Sequence, residues 1–258
     1  MQLEGKNAVI TGGGRGIGAA VAEALAGAGA GVVVAARSHA EIDTVAEGIR
    51  RGGGTAHAVA CDVTDPGSVG ALHAAATQHL GSVSIVVNNA GIATSAPLKA
   101  VTLEQWNRVF AVNVTGTFLV TKAFLPDLVA AGWGRIINVA SIAGKMGAPY
   151  ISTYSASKHA VIGFTRSVAL EVATTGVTVN AVCPGYVRTA LVDAAVERIS
   201  AATGLSNDKA IDSLEATSPQ GRIYEPEEVA HVVLSLCAEA AGGINAQSIV
   251  LDGGAVQK

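Results

Sequence analysis

The chain is poor in the residues that mark several common functions. Aromatic side chains are 4% of its 258 residues, too few for the stacking platforms that hold single-stranded nucleic acid. Charged residues are 14%, the formal net charge is −3, and no Lys/Arg cluster occurs, so the basic footprint of a nucleic-acid binder is missing. The three cysteines, Cys61, Cys183 and Cys237, lack C-x-x-C spacing. They read as buried, reduced thiols of a cytoplasmic protein, not as a disulfide framework. The six histidines are scattered, with no H-E-x-x-H and no Cys/His cluster, so no metal site is expected. No apolar signal core follows Met1, and glycine interrupts the apolar runs before they reach the roughly 20 residues of a membrane span. Neither nucleic acid nor membrane is an expected partner.

Apolar residues, by contrast, are 50% of the chain, and there are 31 glycines. Short β-branched runs alternate with longer helical patterns. Strands are expected at Asn7–Thr11, Gly31–Ala36, Thr55–Ala60, Ser84–Asn88, Arg135–Ala140, Val177–Cys183 and Gln247–Leu251. Helices are expected at Arg15–Gly29, from a Ser38/Glu41 capping box, from Asp65-Pro66 to Leu80, from a Thr102/Gln105 box towards Ala131, over Ser152–Thr175, and from Pro226 through Cys237. Strands that are apolar at consecutive positions suit a parallel sheet covered on both faces. The repeated β-α units therefore predict an α/β, doubly wound sheet of the Rossmann type. No linker or repeat divides the chain, so residues 1–258 read as one domain. Tyr186–Gly221 reads as irregular and as a candidate lid near a site.

The first βα turn runs Thr11-Gly12-Gly13-Gly14-Arg15-Gly16-Ile17-Gly18. Glycines let a backbone turn tightly against a pyrophosphate, and a helix N-terminus offers free N–H groups to it. The spacing is T-G-x-x-x-G-x-G, one residue longer in the loop than G-x-G-x-x-G. Tyr154 and Lys158 stand four apart on an expected helix, hence on one face. A nearby ammonium favours a phenolate, which makes Tyr154 a candidate general acid and base. Taken alone, such a pair also fits an ordinary helix surface. Ser141 ends a strand, where its hydroxyl could stabilise a developing alkoxide or simply cap a turn.

These residues, together with Asn88-Asn89-Ala90-Gly91, Asn113, Tyr154-x-x-x-Lys158 and Pro184-Gly185 with Thr189, resemble in order and spacing the single-domain branch of the short-chain dehydrogenase/reductase family. The resemblance covers the whole chain. It implies a seven-stranded parallel sheet of order 3-2-1-4-5-6-7 and a nicotinamide cofactor across the strands' carboxyl ends. It implies catalytic roles for Asn113, Ser141, Tyr154 and Lys158, with Asn113 binding a water that links Lys158 to solvent. Cofactor contacts are implied for Gly12, Arg15, Gly16, Ile17, Gly18, Arg37, Ser38, Asp62, Val63, Asn89, Ala90, Gly91, Tyr154, Lys158, Pro184, Gly185, Val187 and Thr189. The implied reaction interconverts a ketone and a secondary alcohol. A non-catalytic dinucleotide sensor on the same fold is the alternative, although such proteins usually lose the Tyr or the Lys.

The substrate is less legible. The chain is closest in character to 3-oxoacyl reductases and 3-hydroxyacyl-CoA dehydrogenases, and Cys183–Thr189 also resembles 3-hydroxybutyrate dehydrogenases. Those hold a free carboxylate with a Gln after the N-N-A-G-I run and a His two residues past the serine. Here these are Ala93 and Ala143, which speaks for an apolar carbonyl substrate. The cofactor is expected to be NADP(H) in preference to NAD(H). The second strand ends in Ala36, where an NAD enzyme carries an acid for the ribose 2′-hydroxyl. Arg37, Ser38 and Arg15 could meet a 2′-phosphate, with Glu41, the nearest acid, engaged in its capping box. The long helices after Thr102 and Ser152 are apolar on more than one face, and the family buries them between subunits, so a homotetramer is expected.

Overall fold

A computed structural model describes residues 3–257. Seven strands form one all-parallel sheet of order β3-β2-β1-β4-β5-β6-β7. They are β1 (Asn7–Thr11), β2 (Gly31–Ala36), β3 (Ala56–Ala60), β4 (Ile85–Asn88), β5 (Gly134–Val139), β6 (Val177–Pro184) and β7 (Ser248–Leu251). The helices are α1 (Gly16–Gly27), α2 (His39–Arg51), α3 (Pro66–Leu80), α4 (Leu103–Phe110), α5 (Gly116–Ala130), α6 (Ser152–Glu171), α7 (Ala190–Thr203), α8 (Asn207–Glu215) and α9 (Pro226–Cys237).

Alternate residues of each strand feed two different cores, which is why the strands are apolar at consecutive positions. Ala8, Ile10, Val32, Val34, Ile85, Val87 and Ile137 face α1, α2 and α9. Val9, Val33, Ala35, Val86, Ile136 and Val179 face α3, α5 and α6. The chain runs outward from β1 to β3 and returns to β4 on the other side of β1. That reversal opens a crevice between the carboxyl ends of β1 and β4, where ligands of open α/β sheets bind.

Several local expectations are corrected. The helix expected from Thr102 towards Ala131 runs on through Gly116, but with one departure from α geometry. α4 and α5 are joined by a π-helical turn, Ala111–Thr115, into one continuous rod long and apolar enough to cross a membrane by length and composition. Gly116 is needed because Val63 presses on it: a Cβ there would lie 2.7 Å from Val63 Cγ2. One side of the rod packs within the protein, where Val109, Val120, Phe124 and Leu128 are fully buried. Tyr186–Gly221 is not irregular but contains α7 and α8. Gly204 closes α7 in a left-handed conformation (φ 74°), and the Ser206 hydroxyl caps α8 by accepting from Lys209 N. Ser38 precedes α2 without a side-chain cap, so the Ser38/Glu41 box does not form. The Thr102/Gln105 box does, as does the Asp65 cap before Pro66. All three cysteines are buried free thiols.

Candidate active site

The glycine loop lies at the carboxyl end of β1 and is shaped by what cannot fit. A Cβ on Gly18 would lie 2.2 Å from Gly12 O, and one on Gly12 would lie 2.9 Å from Ala90 Cα. Gly12 (φ 63°) and Gly16 (φ 52°) occupy the left-handed region, where side chains cost about 1 kcal/mol or more. The result is a bare backbone cradle. Arg15 precedes α1 with no side-chain cap, which leaves the first N–H groups of that helix, at Gly16 and Ile17, for an anion. These features fit a pyrophosphate.

Asn89 ties the cradle to β4. Its Nδ2 donates to Thr11 O (3.1 Å) and Gly12 O (3.0 Å), while its N–H and that of Ala90 donate to Thr11 Oγ1 (3.1 and 3.2 Å). Thr189, the first residue before α7, lies against the loop from the other side: a Cβ on Gly16 would come within 2.9 Å of Thr189 Cγ2. Pro184 ends β6. Gly185 N donates to Leu251 O, and Val187 bridges to Tyr224, so this stretch is built into the sheet's edge. Asp62 Oδ1 accepts from Thr64 N (2.9 Å) and Thr64 Oγ1 (2.8 Å). Those two bonds hold its carboxyl below the ordinary range, with Arg37 adding a smaller attraction. The Val63 side chain is buried against Gly116, so only its backbone is left for a cofactor.

Ser141, Tyr154 and Lys158 come together at the carboxyl end of β5. Lys158 is buried and donates from Nζ to Val139 O at 2.8 Å. Its ammonium is 5.8 Å from the centroid of the Tyr154 ring. Burial pushes its pKa down to about 8. Burial likewise raises the Tyr154 phenol to about 12, against the opposing pull of a hydrogen bond with the Ser141 side chain. Ser141 Oγ also accepts from Ala143 N (3.1 Å), so it is fixed as the cap of a short turn while facing the phenol. Gly91 closes the site near Lys158: a Cβ there would lie 3.6 Å from Nζ.

Asn113 sits inside the π-turn and is buried. Its Oδ1 accepts from Ile92 N (2.9 Å), and its Nδ2 donates to Ile92 O (2.9 Å) and Ser157 Oγ (3.0 Å). Both amide donors are therefore spent on the Ile92 turn and on α6. The side chain thereby joins the Gly91-Ile92 turn to the helix that carries Tyr154 and Lys158. The cofactor-phosphate corner also differs from expectation. Glu41, free of any capping box, accepts from Arg15 Nη1 at 3.2 Å.

Some site structure escaped the sequence reading. Asn88 Nδ2 donates to Thr121 Oγ1 and Asn138 Oδ1, and Asn138 Nδ2 donates to Thr165 Oγ1, all at 2.8–2.9 Å. This buried network stitches β4 and β5 to α5 and α6, close in sequence to the strand end that leads to Ser141. The signal for it was present: Asn is disfavoured in strands, yet each of these two strands carries one. Tyr186 and Cys183 also neighbour Tyr154 and were not assigned to the site.

Fold and site together define a dinucleotide-binding oxidoreductase. The family described as short chain dehydrogenase matches residues 6–200. A 3-oxoacyl-(acyl-carrier-protein) reductase of Vibrio cholerae is 38% identical over 254 residues, with 98% of both chains covered. A D-beta-hydroxybutyrate dehydrogenase of Rhizobium meliloti is 37% identical over 252 residues, 96% of this chain and 98% of its own. A variant actinorhodin polyketide ketoreductase solved with NADPH superposes with a TM-score of 0.95 at 38% identity, covering 99% of this chain and 98% of that one. The chain belongs to the short chain dehydrogenase family, and it is an NAD(P)(H)-dependent oxidoreductase interconverting a ketone and a secondary alcohol.

Proposed function

We propose that the protein is an NADP(H)-preferring ketoreductase acting on a 3-oxoacyl thioester or a similar apolar 3-oxo substrate. The observation that carries this reading is the meeting of Ser141, Tyr154 and Lys158 at the sheet edge that also bears the glycine cradle. The bound nicotinamide supplies or accepts the hydride. Tyr154, held protonated by burial, donates its phenolic proton to the carbonyl oxygen as that oxygen gains negative charge. Ser141 donates a hydrogen bond to the same oxygen. In the oxidative direction the phenolate takes the alcohol proton, and the Lys158 ammonium lowers its cost. Lys158 also offers donors to the nicotinamide ribose. Asn113 acts by positioning the Gly91-Ile92 turn against α6. We read α7 and α8 as a lid over the site, and three free buried thiols as those of a protein of the reducing cytoplasm.

The cofactor reading rests on Ala36, which offers no acid to a ribose hydroxyl, and on the exposed Arg37, Ser38 and Arg15 around it. The substrate reading rests on Ala93 and Ala143, which leave no side chain to hold a free carboxylate, and on the kinship with acyl reductases. The test is kcat/KM for NADPH and NADH on a set of 3-oxoacyl thioesters and free 3-oxo acids. NADPH should be preferred, roughly a hundredfold at most for two charge-assisted contacts, and Ala36→Asp with Arg37→Ala should reverse the order. Preference for NADH, or turnover of free acids only, overturns the corresponding half.

A further inference from the structure

The corner that would receive a 2′-phosphate already contains its own anion. Glu41 lies in the first turn of α2, three residues past Ser38. An acid there usually folds back onto the helix's free N–H groups. Here it turns outward to the Arg15 guanidinium, at 3.2 Å. The glycine loop makes room for it: a Cβ on Gly14 would lie 2.8 Å from Glu41 Cβ and 3.4 Å from Oε2. Glu41 is thus seated on the loop's outer wall, 39% exposed, with Arg15 reaching across to it, 71% exposed. The second arginine of the corner, Arg37, has its own neighbouring carboxylate in Asp62. Two cations and two carboxylates therefore meet here, and local charge is nearly balanced before any ligand arrives.

We infer that Glu41 is a counter-charge latch on Arg15 that sets how strongly the protein discriminates NADP(H) from NAD(H). This rests on the cofactor site proposed above. A 2′-phosphate recruits Arg15 only by taking it from Glu41, and it meets the repulsion of that carboxylate as it approaches. A ribose 2′-hydroxyl meets neither cost. Arg15 then contributes less to NADP(H) affinity than a free guanidinium would, and the preference for NADP(H) is smaller than two free guanidinium groups would give. Ser38, whose hydroxyl caps nothing, and Arg37 are left as the unlatched donors.

The fragments 2′,5′-ADP and 5′-AMP isolate this corner, because they differ only in the 2′-phosphate and need no catalysis. Calorimetric titration should show Glu41→Gln binding 2′,5′-ADP about five- to tenfold more tightly than the natural protein, in keeping with one exposed ion pair plus one like-charge repulsion. Binding of 5′-AMP should change less than twofold. In an Arg15→Gln background only the repulsion remains, so the same Glu41→Gln change should act clearly less, about two- to threefold. An unchanged 2′,5′-ADP affinity in Glu41→Gln overturns the latch. So does an equal gain with and without Arg15, which would mark Glu41 as a plain repulsive charge. The cofactor reading fails separately, if the natural protein binds 5′-AMP more tightly than 2′,5′-ADP; a Glu41→Gln gain that depends on Arg15 would sustain the latch even then.

Discussion

A buried lysine whose charge is used for chemistry has a measurable cost in stability. Lys158 is 5% exposed, and burial lowers its pKa from the ordinary 10.5 to about 8. The unfolded chain therefore binds the proton more tightly between those values. Stability is reduced at neutral pH and recovers as pH rises from about 8 to 10.5, a change of about 3 kcal/mol for this group. Lys158→Met should unfold at higher urea than the natural protein at pH 7, and the gap should close towards pH 10.5; a gap independent of pH would refute the assignment. Turnover follows a different residue. Tyr154→Phe removes the transferable proton and should lower kcat about a hundredfold or more, while NADPH binding followed by fluorescence stays within a fewfold. Retention of more than a tenth of the rate would remove Tyr154 from the mechanism. The Tyr154/Lys158 pair was legible because helical spacing alone puts both on one face. Glu41 was misread because its local partner, Ser38, is visible in sequence, whereas Arg15 lies in another element and wins only once the loop has folded over Gly14.

At the scale of elements, strands were the easiest part to read. Their unbroken β-branched runs have no competing helical period, and the loops between them carry strong cap signals such as Asp65-Pro66. The π-turn was invisible, because nothing in the local sequence distinguishes five residues of wide helix from the helix on either side; it is explained only by Asn113 reaching Ile92 and by Val63 filling the space at Gly116. The α7–α8 pair was misread as irregular because its polar residues mask a small apolar set. Val192, Val196, Ala210, Leu214 and Ile223 form a cluster of their own, apart from the two cores that flank the sheet. An element with a private core can shift as a body, and its first residue, Thr189, already touches Gly16 of the cradle. Saturating NADPH should therefore slow amide exchange across residues 190–215 together, with the helical segments rising by about tenfold, while the β1–β4 core is little altered. Equal exchange with and without cofactor would rule out the lid.

The whole molecule still exposes large apolar side chains, several of them on α4, α5 and α6. Leu103 and Trp106 on α4, Phe118 on α5 and Leu170 on α6 all project into solvent, Leu103 and Leu170 by more than 70%. Phe118 and Phe164 meet edge-on at 6.4 Å, linking α5 to α6. This resolves the composition of the rod from Leu103 to Ala130. One side serves the core under the sheet, and the outward side sets Leu103, Trp106 and Phe118 among polar residues such as Glu104, Arg108 and Lys122. Large apolar side chains exposed on neighbouring helices suit an interface, and a second copy of the chain would offer a matching surface through two-fold symmetry. We expect light scattering at micromolar concentration to give about four times the 25.7 kDa chain mass, and Phe118→Glu with Leu170→Glu to lower it. A natural protein running as a 25.7 kDa monomer would defeat the expectation. The expected interface would have a consequence for chemistry as well. α6 carries Tyr154 and Lys158 near its start and Leu170 near its end, and Asn113 and Ser157 join it to the rod. Bracing both helices against a partner would fix the distance between Lys158 and the Gly91 turn, so the dissociated variant should lose turnover together with mass even though no substituted residue lies in the site.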